Sequence, residues 1–269
     1  MFHTLYNLEN TMRKPLLLVS FVLMLLLAAC DGGSNEPKGL PPGGDKGGGA
    51  PAPALTGTVS GKITFDGAVP KADKIQMTAD PYCATANKDP YAETVKVSDG
   101  GLENVIVYVS AGLEGKTFPT PTEPLEIDQH DCHYIPHAFT IQVNQPLKVK
   151  NSDMTAHNIH MYSGENTLFN VSQPAQNLVD TKKFDKEQLP IAVRCDVHKW
   201  MNANIGVFTH PSHAVSKQGG VYEFRVPPGT YTVTAWHEKY GTQTGMVTVA
   251  DNGKTELNFT FKAAGKTGD

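Results

Sequence analysis

The sequence predicts an all-β fold, one β-sandwich or two packed together, on three observations. Apolar and polar residues alternate over short runs, Gly, Pro, Asn and Asp break those runs, and no stretch after Gly57 sustains a helical period. The first candidate strand is VSGKITFDG (59–67), followed by NVIVYVSAG (104–112) and AFTIQVNQPLKVKNSD (138–153). IAVRCDVH (191–198) and ANIGVFTH (203–210) come next, with a short turn between them. VYEFRVPPGTYTVTAWHE (221–238) folds back on itself at Pro227-Pro228-Gly229, and GMVTVADNG (245–253) and ELNFTFK (256–262) complete the set. Only TKKFDKEQ (181–188), short and polar, hints at a helix.

The 269 residues suffice for one or two domains. Met12, Arg13 and Lys14 form a positive lead-in to an apolar run from Leu16 to Ala29, too short for a span of about 20 residues and suited to an export signal. It ends in Leu27-Ala28-Ala29-Cys30, which resembles the bacterial lipobox and implies lipidation of Cys30, with residues 1–30 as a lipoprotein signal peptide. Residues 31–55 are rich in Gly and Pro and read as a flexible linker holding the folded part off a membrane. The balance of 23 Lys and Arg against 27 Asp and Glu leaves no basic patch for nucleic acid.

An exported chain meets an oxidising space, so cysteines tend to pair. With Cys30 set aside, Cys83, Cys132 and Cys195 remain. One disulfide plus one working thiol is the simplest division. Cys195 is the thiol with histidine and methionine beside it, which leaves Cys83 and Cys132 as the expected pair.

The segment RCDVHKWMNANIGVF (194–208) spaces Cys195, His198 and Met201 three residues apart, and three soft or borderline ligands in seven residues point to a metal. Upstream, FTIQVNQPLKVKNSDMTAHNIHMY carries Asn151, Asp153, His157 and Asn158. Together these stretches resemble a cupredoxin, with the short ligand loop of amicyanin. The resemblance implies one type 1 copper held by His157, Cys195, His198 and Met201, with Asn158 tying the two ligand loops together. Structural zinc does not use methionine and covalent haem wants a different cysteine spacing. For a cysteine protease, a histidine three residues from the thiol on a turn is poorly placed as a base.

GTVSGKITFDGAVP and GLENVIVYVSAG before this segment, and SKQGGVYEFRVPPGTYTVTAWHEKYG to ELNFTF after it, resemble the carboxypeptidase regulatory-like domain, a transthyretin-like sandwich. The expected fold is therefore a cupredoxin-like Greek-key sandwich at 124–210, set between residues 56–123 and 211–263 of the second sandwich. His137 and His160 are candidates for additional metal binding, alongside His130 and His133. In cupredoxins the second histidine reaches the surface where partners dock, so His198 is expected there, with Trp200 as part of that patch or as a packing anchor. The expectation for function is a one-electron carrier between redox proteins such as cytochromes or a dehydrogenase, anchored through its N-terminal lipid; copper delivery is the competing expectation.

Overall fold

A computed structural model describes residues 51–88 and 90–263. The expected signal peptide, the lipid site Cys30 and most of the linker lie outside the described residues. The described residues belong to one compact unit.

The first segment contributes β1 (Gly57–Asp66), a short helix α1 (Pro81–Ala86), β2 (Val97–Ser98), β3 (Gly101–Leu102) and β4 (Ile106–Ala111). Then come β5 (Leu125–His130), β6 (His133–Ile135), β7 (Ala138–Gln142), β8 (Leu147–Asn151), β9 (His157–Ser163), β10 (Asn166–Gln173), β11 (Val179–Lys182), β12 (Gln188–Arg194) and β13 (Asn202–Phe208). The last segment holds β14 (His213–Val215), β15 (Val221–Val226), β16 (Gly229–His237), β17 (Gly241–Val249), β18 (Lys254–Glu256) and β19 (Phe259–Lys262).

Strands from the two ends of the chain build one sandwich. β1 pairs antiparallel with β15, from Gly57 opposite Val226 to Lys62 opposite Val221, and runs parallel to β18 and β19. The facing sheet runs β14-β4-β16-β17. Strict alternation in β15 turns Tyr222, Phe224 and Val226 inward and Val221, Glu223 and Arg225 outward, as a sheet with one solvated face requires. The core between the sheets includes Val59, Ile63, Val107, Tyr231, Val233 and Phe261.

Between β4 and β14 the chain makes the second sandwich, with sheets β10-β9-β12-β13-β7 and β11-β8-β5-β6. Its ends meet: β14 pairs with β4, His213 opposite Tyr108. Its core holds Ile127, Tyr134, Ile141, Val149, Met161, Val193 and Ile205. β13 is buried along almost all its length, because its outer face packs on the first sandwich. Phe208 stacks on Tyr108 at 4.5 Å between ring centroids. A Cβ on Gly206 would sit 3.3 Å from Ile106 Cγ2 and 2.7 Å from the Phe208 ring, so the close approach of β13 to β4 requires glycine there.

Two features depart from the sequence expectations. TKKFDKEQ is not helical: it spans the end of β11 and the start of β12, and Phe184 within it is buried in the second core. In the segment between β1 and β2, Met77 and Cys83 belong to the second core, with Ile75 and Tyr82 packed against it. This excursion carries α1 over one end of the inserted sandwich.

Candidate metal centre

β9 begins at His157, and the loop from Cys195 to Met201 joins β12 to β13, so the pairing of β9 with β12 brings the upstream histidine to the ligand loop. The loop is folded on itself. The His198 backbone N–H donates to Cys195 Sγ at 3.3 Å, Met201 N–H donates to His198 O at 2.9 Å, and Cys195 N–H donates to Met201 O at 3.3 Å. His157, Cys195 and His198 converge, with ligand atoms within 4.8 Å of one another and all three side chains buried. The two Nδ1 atoms are 2.9 Å apart, and His198 Nδ1 is 3.9 Å from Cys195 Sγ. Two Nδ1 atoms at that separation need a proton between them. Met201 is fully buried in the core that holds Cys195.

Burial by itself would raise the Cys195 thiol, but hydrogen bonds from His157 and His198 outweigh it and hold the thiol down to about 5. Burial likewise opposes the charged form of His157, and the bonds to Asp153 and Cys195 overcome it, raising that imidazole above its ordinary value.

Asn158 accepts from the Asp196 backbone N–H at 2.6 Å and from Cys195 Sγ at 3.4 Å, while its amide donates to Asn170 and Asp196, each at 2.8 Å. It joins β9, β10 and the ligand loop. Cys83 and Cys132 are linked by a disulfide between α1 and the β5–β6 hairpin. Trp200 donates its indole N–H to Cys132 O at 3.1 Å and packs 5.0 Å from the His198 ring, anchoring the ligand loop to that hairpin.

His198 is not at the surface. It is 3% exposed, because α1 lies over it and Asp80 accepts from its Nε2 at 3.0 Å. Asp153 does the same for His157 at 2.9 Å. Neither carboxylate is among the ligands that the sequence implies. Asp153 is completely buried, and burial would raise its pKa; hydrogen bonds from His157 and from the Cys132 and Asp131 N–H groups hold it below the usual carboxylate range. Those two N–H groups point together because Asp131 and Cys132 both adopt positive φ, 50° and 57°, at the tip of the hairpin.

The remaining histidines lie elsewhere. His137 is buried with Nε2 on Glu238, which follows β16 of the first sandwich, and Nδ1 4.0 Å from Glu93. His160 bonds Asp196 at 3.3 Å and Thr167 at 3.0 Å on the outer side of β9. Neither belongs to the buried His157, Cys195 and His198 cluster. His130 groups with Asp131 and Asp153 instead, and His133 bonds Asn87 at 3.2 Å.

Residues 200–262 match the carboxypeptidase regulatory-like domain family. No curated protein matches the chain. Solved structures similar to part of it include a copper-containing nitrite reductase from Thermus scotoductus, at 16% identity over 36% of this chain, with TM-score 0.30. The match spans only 25% of that reductase. A purple cupredoxin from Nitrosopumilus maritimus matches at 20% identity over 31% of this chain and 98% of its own, TM-score 0.28. A reduced amicyanin variant matches at 15% identity over 38% and 97%, TM-score 0.29. The chain is all-β, built from two β-sandwiches, and the regulatory-like family match covers the ligand-loop end of the inserted sandwich and the C-terminal strands of the other.

Proposed function

We propose that this chain is an exported, membrane-tethered type 1 copper protein that carries single electrons between redox proteins such as cytochromes or a dehydrogenase. The observation that carries this reading is the buried convergence of His157 Nδ1, His198 Nδ1 and Cys195 Sγ. The donor set fits copper. Two imidazoles and a thiol that ionises readily, beside a buried methionine, are borderline and soft ligands, and the pocket is shut off from water.

Copper bound there would supply a one-electron Cu(I)/Cu(II) couple, and the donor set is one that both states tolerate. Cys195 is the strong anionic donor, His157 and His198 supply nitrogen, and Met201 is the weak fourth ligand by resemblance. The protein keeps these donors in place through β9, β12 and β13, the Asn158 bonds and the disulfide over the top. Donors that cannot move need little rearrangement when charge changes, which favours fast exchange of electrons. The closed pocket favours a retained ion over one handed to a client, so a carrier fits better than a delivery protein. Tethering rests on Cys30 and residues 31–55.

The test is visible absorption and electron paramagnetic resonance of the mature chain loaded with Cu(II), beside Cys195→Ser. An intense thiolate-to-copper band with narrow copper hyperfine splitting, lost in the variant, is expected. A colourless protein, or a signal that survives the substitution, would sink this function.

A further inference from the structure

Asp80 is 118 residues from His198 in sequence, yet its carboxylate is fully engaged at the centre. Oδ1 accepts the Tyr82 and Cys83 backbone N–H groups at 2.8 and 3.1 Å, capping α1. Oδ2 accepts the Thr155 hydroxyl at 2.8 Å and His198 Nε2 at 3.0 Å. With both oxygens held, the carboxylate cannot rotate away. The helix that carries it cannot lift either, because Cys83 is bonded to Cys132 and lies 3.8 Å from His198 Nε2. Tyr82, on the same helix, donates its hydroxyl to Asp153 Oδ1 at 3.1 Å, so one cap braces both carboxylates.

We propose, building on the copper reading, that Asp80 is a positioning residue for His198, fixing the tautomer and ring orientation that leave its Nδ1 facing the donor cluster as an acceptor. A carboxylate only accepts, so the ring nitrogen against it carries the proton and the other nitrogen is left with its lone pair. The cap therefore takes the place that solvent would have at an exposed histidine. It comes from the segment that also builds the other sandwich, which makes the centre incomplete without both parts of the chain.

Asp80→Asn separates this role from a merely structural one. Asparagine keeps the shape and is an equally good helix cap. With its oxygen on the Tyr82 and Cys83 N–H groups, however, it presents an amide N–H to His198 Nε2, which favours the opposite tautomer. In the metal-free mature chain, ¹⁵N imidazole spectra should show His198 protonated at Nε2 in the wild type and unprotonated there in the variant. Cu(II) affinity should fall about 10- to 100-fold, with the melting temperature of the metal-free chain unchanged. Wild-type His198 lacking a proton on Nε2 would overturn the proposal even if the variant failed to fold. So would an Asp80→Asn protein with wild-type Cu(II) affinity and hyperfine splitting. If wild-type protein has no thiolate band at all, the copper reading fails, while the imidazole spectra still decide the tautomer.

Discussion

Asn158 accepts the Asp196 backbone N–H at 2.6 Å and returns an amide N–H to the Asp196 carboxylate at 2.8 Å, so two residues lock the first turn of the ligand loop onto β9. The same oxygen lies 3.4 Å from Cys195 Sγ. Asn158→Ala leaves that N–H group and the thiol without their acceptor in a buried place. An unmatched buried donor costs about 1–3 kcal/mol, so urea unfolding of the metal-free variant should show a lower midpoint with an unchanged slope. An unchanged midpoint would mean the loop is held by its internal bonds alone.

The disulfide spans 49 residues and is fully buried between α1 and the β5–β6 hairpin. Replacing Cys83 and Cys132 together with serine should destabilise the fold by about 2–4 kcal/mol, chiefly by freeing the unfolded chain. A melting temperature equal to that of the oxidised wild type would show that the bridge does not form in the protein.

Acid should destabilise this fold before its carboxylates titrate. Burial pushes His213 down to about 3, helped by the neighbouring His210, and pushes His237 down to about 4. Among the described residues the Nε2 atom of each has no hydrogen-bond partner. Both depressed values mean that the unfolded chain takes up protons from about pH 6.5 downward while the folded chain does not. Stability is fully present above that pH and falls by up to about 1.4 kcal/mol per pH unit for each histidine, towards pH 3 to 4. Asp80, Asp153 and Glu238 are also held low, but their contribution is lost only below the ordinary carboxylate range. The difference in unfolding between wild type and His213→Phe from pH 7 to 5 reports the His213 proton together with its coupling to His210. Parallel curves would refute a neutral His213 with its Nε2 buried.

The parts of this structure legible in the sequence are those written locally. Alternation in β15 and β1 and the apolar end of β13, from Ile205 to Phe208, declare strands, and Cys195, His198 and Met201 declare a ligand loop because their spacing is short. Asp80 was invisible: it sits in ADPYCATANKDPY, which has no strand period, and meets His198 only because the chain detours between β1 and β2. Asp153 lies four residues before His157, yet the backbone N–H groups that hold it belong to a hairpin 21 and 22 residues away. That hairpin gives no turn signal either, since Asp131 and Cys132 occupy left-handed positions where Asn and Gly are usual. TKKFDKEQ hints at a helix by itself, and the burial of Phe184 against the second core overrides that hint.

His137 and His160 distinguish a single metal centre from a double one. His137 holds Glu238, whose carboxyl burial would raise and which this bond keeps low, so the pair joins the β16–β17 turn to β7. His137→Gln should destabilise the fold by about 1–3 kcal/mol and leave copper content and hyperfine splitting as in wild type. His160 is part-exposed and bonds Asp196 and Thr167, so His160→Gln should leave copper content unchanged and cost less than about 1 kcal/mol. Metal analysis of both variants after loading and exhaustive dialysis checks this. Loss of a copper ion from either one would place a second ion on these histidines and make the protein something other than a one-copper carrier.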